Sequence, residues 1–169
     1  MARVIKRTFA TILPLPALKI QASNAVLADA TRIFDTVASD EDIAQWARDD
    51  KFIIVRPKSF PPNPATQAGS GTAGVEVDGV FDVGIWLRLW VDQPSQDTQW
   101  LQHSTLGIAP LIDLVDTALE QYYPTDGSGD YYFIQPMRLL PPGWQFPMKR
   151  IGEWGHVTSE WSCVFHLSM

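Results

Sequence analysis

Between Val80 and Val91 the chain reads VFDVGIWLRLWV, and its side chains alternate without a break. Phe81, Val83, Ile85, Leu87, Leu89 and Val91 fall on one face, while Asp82, Gly84, Trp86, Arg88 and Trp90 fall on the other. Period two over this length marks a β-strand, because a helix returns to the same side only every third or fourth residue. The second face is neither a plain core face nor a plain solvent face, since two tryptophans flank an arginine. One aliphatic face and one aromatic, sparsely charged face predict a sheet that packs on both sides.

A chain of 169 residues with 46% hydrophobic and 19% charged residues is long enough for one domain with a real core, and is neither disordered nor fibrous in composition. The net charge of −6 argues against a sequence-reading nucleic-acid site, which needs clustered Lys and Arg. That charge is unevenly placed. Arg3, Lys6, Arg7 and Lys19 make the first twenty residues +4 with no acid, which leaves −10 on the remainder. The single cysteine, Cys163, excludes an internal disulfide, and no apolar run is long enough to span a bilayer. Basic residues ahead of Phe9–Leu18 are reminiscent of a signal peptide, but Pro14, Pro16 and Lys19 interrupt the apolar stretch. Residues 1–22 are expected to form an extended N-terminal arm, with residues 23–169 as a single domain.

Leu27, Ala30, Phe34 and Val37 predict a helix over Asn24–Ala38. Ser39 caps a second, short helix to Asp50, with Asp40, Glu41 and Asp42 in its first turn. The acids suit a helix start; no second ligand cluster lies nearby to make them a metal site. Phe52–Val55 reads as a buried strand closed by Arg56-Pro57, and residues 58–74 as a long loop. Gly69, Gly71 and Gly74 match G-x-G-x-x-G formally, yet a proline-rich loop precedes them and a strand follows, the wrong context for a dinucleotide turn. Asp78-Gly79 between Val75–Val77 and Val80 predicts a two-residue β-hairpin. Gln99–Leu106 has room for a helical turn or two. Leu111, Leu114, Val115, Ala118, Leu119 and Tyr122 predict a helix over Ala109–Tyr122, with Pro110 in its first turn and Pro124 beyond its end. Asp126–Asp130 is a turn, Tyr131–Leu140 a strand at an edge or with a bulge at Pro136, and Pro141–Pro147 a rigid turn carrying Trp144 and Phe146. Glu160–Met169 closes the chain as a strand with Trp161, Cys163, Phe165 and Leu167 on one side. These elements predict an α+β two-layer sandwich: a mainly antiparallel sheet, two main helices on one face, a long loop and a hairpin.

No catalytic constellation stands out. His103, His156 and His166 share no metal-ligand spacing, there is no G-x-S-x-G, and Cys163 lies on a core face. Neither catalytic, metal nor cofactor residues are therefore expected, and enzyme activity is not. The Trp86/Arg88/Trp90 face lacks a covering layer in this layout. Each Trp buries ~150–250 Å², so covering both is worth up to roughly 7–12 kcal/mol, enough to demand a lid. Trp86, Arg88, Trp90, Trp144 and Phe146 are the expected contact residues.

The element order over residues 24–169, from an early helix through the long aliphatic strand and the Leu111–Tyr122 helix to the alternating Trp161–Leu167 strand, resembles the tail terminator, or tail-completion, proteins at the neck of tailed bacteriophages. The resemblance is one of element order and size; the PPNP and PPGWQFP insertions and the proline-bearing arm depart from the simplest members. It implies a structural virion protein, assembled in the host cytoplasm. Such a protein forms a homohexameric ring, caps the tail-tube protein, stops its polymerisation and docks to the head connector. DNA passes through the lumen unread, and a negative subunit suits such a channel. Another head-tail connector component fits the same layout. The rival class is a carbohydrate-binding module with Trp144, Trp154, Tyr131 and Tyr132 as its aromatic platform.

Overall fold

The computed structural model describes residues 8–23, 51–63, 75–88, 107–146 and 154–167, and the backbone alone of 32–34 and 149–151. The expected helix Ser39–Asp50, the Gln99–Leu106 turn, Leu89–Val91 and the glycines at 69, 71 and 74 lie outside these residues. Helices α1 (Phe9–Ile12) and α2 (Leu15–Ser23) open the chain, followed by strands β1 (Arg32–Phe34), β2 (Lys51–Ser59) and β3 (Val75–Arg88). Helix α3 (Ile108–Leu119) precedes β4 (Gln135–Leu139), β5 (Lys149–Ile151) and β6 (Trp154–Leu167). Four strands, in the order β2-β3-β6-β4, form an antiparallel sheet. At its margins β1 joins β2 in parallel, and β5 pairs with the first residues of β6. The architecture is an α+β sandwich.

Its axis is the ribbon of β3 and β6, in register from Val75 opposite Leu167 to Arg88 opposite Trp154. Fourteen residues per strand make it about 46 Å long. Period two explains the core. Val77, Phe81, Val83, Ile85 and Leu87 of β3 share a face with Val157, Trp161, Cys163 and Phe165 of β6 and with Ile53 and Val55 of β2. Onto that face pack Ile12, Ala17 and Ile20 from α1 and α2, and Ile108, Leu111, Val115, Ala118 and Leu119 from α3.

Five expectations are corrected. The N-terminal arm is not extended over its described part. Pro16 lies in the first turn of α2, where the missing N–H has no acceptor to lose, so proline permits a helix there. Within the expected Asn24–Ala38 helix, Arg32–Phe34 is instead a strand parallel to Phe52–Ile54, because pairing along the β2 edge overrides local helical spacing. The second helix of the helical layer is thus α2. Asp78-Gly79 is not a hairpin: the two residues pair with Val164 and Cys163 inside a continuous β3. Strand β2 does not stop at Pro57 but continues to Ser59 through a register shift, on an edge that β1 leaves free, where a proline costs no ladder bond. Helix α3 ends at Leu119 rather than Tyr122, because Gln121 turns to a positive φ of 61° and its N–H bonds Met137 O. In β4 the register does shift between Gln135 and Arg138, around Pro136. Strand β6 has the expected apolar side but starts six residues early, at Trp154.

Candidate functional site

The second face of the sheet divides into two halves. At one end Phe52, Trp86 and His156 lie directly opposite one another on β2, β3 and β6. Strand spacing then forces their rings into a stack: Phe52 and Trp86 at 5.6 Å and 9°, Trp86 and His156 at 4.3 Å and 11°. Trp154 meets Phe52 edge-on at 5.0 Å, and the Arg88 guanidinium lies 5.2 Å from the Trp154 ring centre. Phe52, Trp86 and Trp154 are each 1% exposed and His156 2%. The chain seals this end with its own atoms.

That burial corrects the expected role of Trp86, which offers no surface to a neighbour. Arg88 is half-buried in the same cluster, where its cation sits against an aromatic face. Trp90 lies outside the described residues. Trp144 is half-buried against the core and donates its indole N–H to Asp116 Oδ1 at 2.8 Å, which ties the 141–146 turn to α3. Phe146, two residues on, is 54% exposed. Of the five expected contact residues, Phe146 alone is displayed on a braced loop among the described residues. The rival sugar platform is not assembled either: Trp154 is buried, and Tyr131 is stacked on Tyr123 at 3.9 Å. What the sequence reading missed is the Phe52, Trp154 and His156 company of Trp86. The alternation of Trp154, His156 and Thr158 against Gly155, Val157 and Ser159 was the signal, two turns of the pleat before Glu160.

Burial raises the Asp116 carboxyl above its usual range; the Trp144 bond opposes this, and Asp113 and Glu120 add to the rise. A carboxyl raised in the fold contributes less stability as pH climbs through its folded value, so its charge is a cost at neutral pH. Asp116→Asn keeps an acceptor for Trp144 and removes that charge. It is expected to stabilise the fold at pH 7 by only ~0.2–0.5 kcal/mol, because solvent screens the group. The gain should vanish below about pH 4, where the carboxyl is protonated. Thermal unfolding of both proteins at the two pH values checks the sign.

The other half of the second face is polar and half-exposed. Arg56 pairs with Asp82, Lys58 with Glu160, and Asn63 donates to Glu76. Val80, Ser162 and Val164 stand among them, with Gln135 and Arg138 of β4 exposed beside them.

Other chemistry is dispersed. His156 and His166 are ten residues apart on one strand, about 33 Å. His103 lies outside the described residues. Burial, then Asp78, pushes the Cys163 thiol up to about 12, the state of an inert core sulfur. No group of three metal-binding side chains occurs among the described residues, and no described helix is long and apolar enough to cross a membrane. A shallow cleft of about 530 Å³ is lined by Leu15, Lys19, Glu120, Tyr122 and Pro124 among others. Lys19 Nζ lies 5.4 Å from the Tyr122 ring centre. A cation and a carboxylate share this open cleft, so it selects neither sign of ligand. No protein-family model matches the chain, and no curated protein matches it.

Proposed function

We propose that this chain is a structural component of a tailed-phage neck, a tail terminator that forms a ring, caps the tail tube and joins it to the head connector. The observation that carries the reading is the form of the sheet. A long antiparallel ribbon, helices on one face and a half-open polar second face give a rigid wedge with distinct surfaces on its two sides, which head-to-tail ring contacts require. The aromatic end of that second face is internal, so the contact moves to the Val80/Ser162/Val164 half and to Phe146. The net charge of −6 supports passage of DNA without adhesion. The partners under this reading are further copies of the chain, the tail-tube protein and the head connector, and its place is the virion.

Size-exclusion chromatography with light scattering, on the chain alone and with tail-tube protein, tests the reading. A closed oligomer, or binding that halts tube growth, is expected. Phe146→Ser should weaken that association by roughly tenfold while leaving the unfolding midpoint unchanged. A chain that remains monomeric and ignores the tube protein overturns the reading. If its tryptophan fluorescence then shifts with oligosaccharide, the sugar-binding alternative takes its place.

A further inference from the structure

Both margins of the sheet are closed, and one of them by an unusual device. Beyond the three residues paired to β1, the β2 edge carries Pro57, Lys58, Pro61 and Pro62, residues that cannot donate or that resist a neighbouring strand. The β4 edge is sequence-poor in such guards, yet its outward groups are satisfied. Gln121 N–H bonds Met137 O at 3.1 Å, and Met137 N–H bonds Tyr122 O at 2.9 Å. Leu139 N–H reaches Glu120 Oε2 at 3.4 Å, and Tyr123 donates its hydroxyl to Ile134 O at 3.0 Å. Four consecutive residues therefore cover β4 from Ile134 to Leu139.

The ordinary reading of a positive φ just past a helix is a C-cap, in which that residue's N–H returns to a carbonyl of the last turn. Gln121, at φ 61°, does not do this: its N–H leaves the helix for the sheet. Nor is the segment a further strand. It uses a carboxylate and a phenol at its ends, so it ends the ladder without presenting a new row of free backbone groups. Tyr123 is held in place by its stack on Tyr131, and the Glu120 carboxylate by the Gln121 side-chain amide.

We propose that residues 120–123 are an edge guard, a built-in contact that blocks β4 from pairing with the sheet of another copy and so confines association to the faces of the molecule. The guard acts whether or not the chain belongs to a phage neck. Two variants open it. Gln121→Pro removes the bond to Met137 O and forbids positive φ. Glu120→Ala combined with Tyr123→Phe removes both side-chain caps without touching the core. Hydrogen exchange at Met137 and Leu139 should accelerate at least ~tenfold in each, from loss of these bonds. Concentration-dependent oligomers with an intermolecular β-sheet infrared band should appear that the wild type lacks. Retained near-UV circular dichroism and an unreactive Cys163 identify the folded variants. If Gln121→Pro does not fold, the double variant decides. Folded variants that exchange faster but associate like the wild type overturn the guard, as do variants whose two amides exchange no faster. Wild-type ring formation bears on the neck reading alone, and edge-linked association of the variants on the guard alone.

Discussion

Trp86→Ala is expected to lower the stability of the isolated subunit by about 3–5 kcal/mol, a loss of roughly 6–20 °C in melting temperature for a domain of this size. The reason is its position in the middle of a stack. At 1% exposure Trp86 is flanked by Phe52 on one strand and His156 on the next, and truncation strips both partners of a ring at once. Surrounding strands fix the spacing of the gap, so it cannot collapse as a helical site would. Trp86→Phe keeps an aromatic plane between Phe52 and His156 and should lose much less. Urea unfolding of dilute protein separates this from an interface role. An interface tryptophan would shift assembly and leave the subunit's midpoint in place; an unchanged midpoint for Trp86→Ala would refute the internal stack.

This residue also shows where reading the sequence stops. Alternation from Val80 identified a strand and its two faces, because period two is a local property that packing need only confirm. It assigned Phe81, Val83, Ile85 and Leu87 to the helical side, where they lie. It did not tell which residues stand opposite Trp86, since register is a property of three strands together. Phe52 and His156 are 34 and 70 positions away in sequence. The N-terminal prolines were misread for a different reason. Their effect depends on whether they fall inside a helix or at its first turn, and Pro16 falls at the first turn. The α3 pattern was strong enough to place its buried residues, yet its end at Leu119 is dictated by a hydrogen bond to Met137 across the fold, which no spacing encodes. Phe146 was legible as a loop residue, and its exposure follows from the Trp144–Asp116 bond that braces the turn.

Gly79→Ala is the second large expected effect, and it turns on the residue the sequence most clearly offered as a turn. Gly79 lies mid-strand opposite Cys163, and the positive-φ glycines among the described residues are Gly129 and Gly143, so its backbone has no need of glycine's freedom. What glycine supplies is space. A Cβ there would lie 2.8 Å from Cys163 Sγ, 2.8 Å from Phe60 Cε1 and 3.0 Å from Phe165 Cε1, all closer than real contacts allow. The missing side chain is the slot that lets the Phe60 ring lie over β3, edge-on to Phe81 at 5.3 Å and to Phe9 at 5.6 Å. An added methyl must displace Phe60 or spread β3 from β6, a strain of about 1–3 kcal/mol. Displacing Phe60 would also loosen α1, whose Phe9 rests on Phe60 and on Phe165. The variant should therefore expose Cys163, inert in the native protein, to a thiol reagent under conditions where the wild type does not react. Phe60→Ala in the same background vacates the ring's volume and should return part of the lost stability, so the two changes are coupled rather than additive. Additive losses in that double-mutant cycle would mean that Gly79 is required for some reason other than the room it leaves for Phe60.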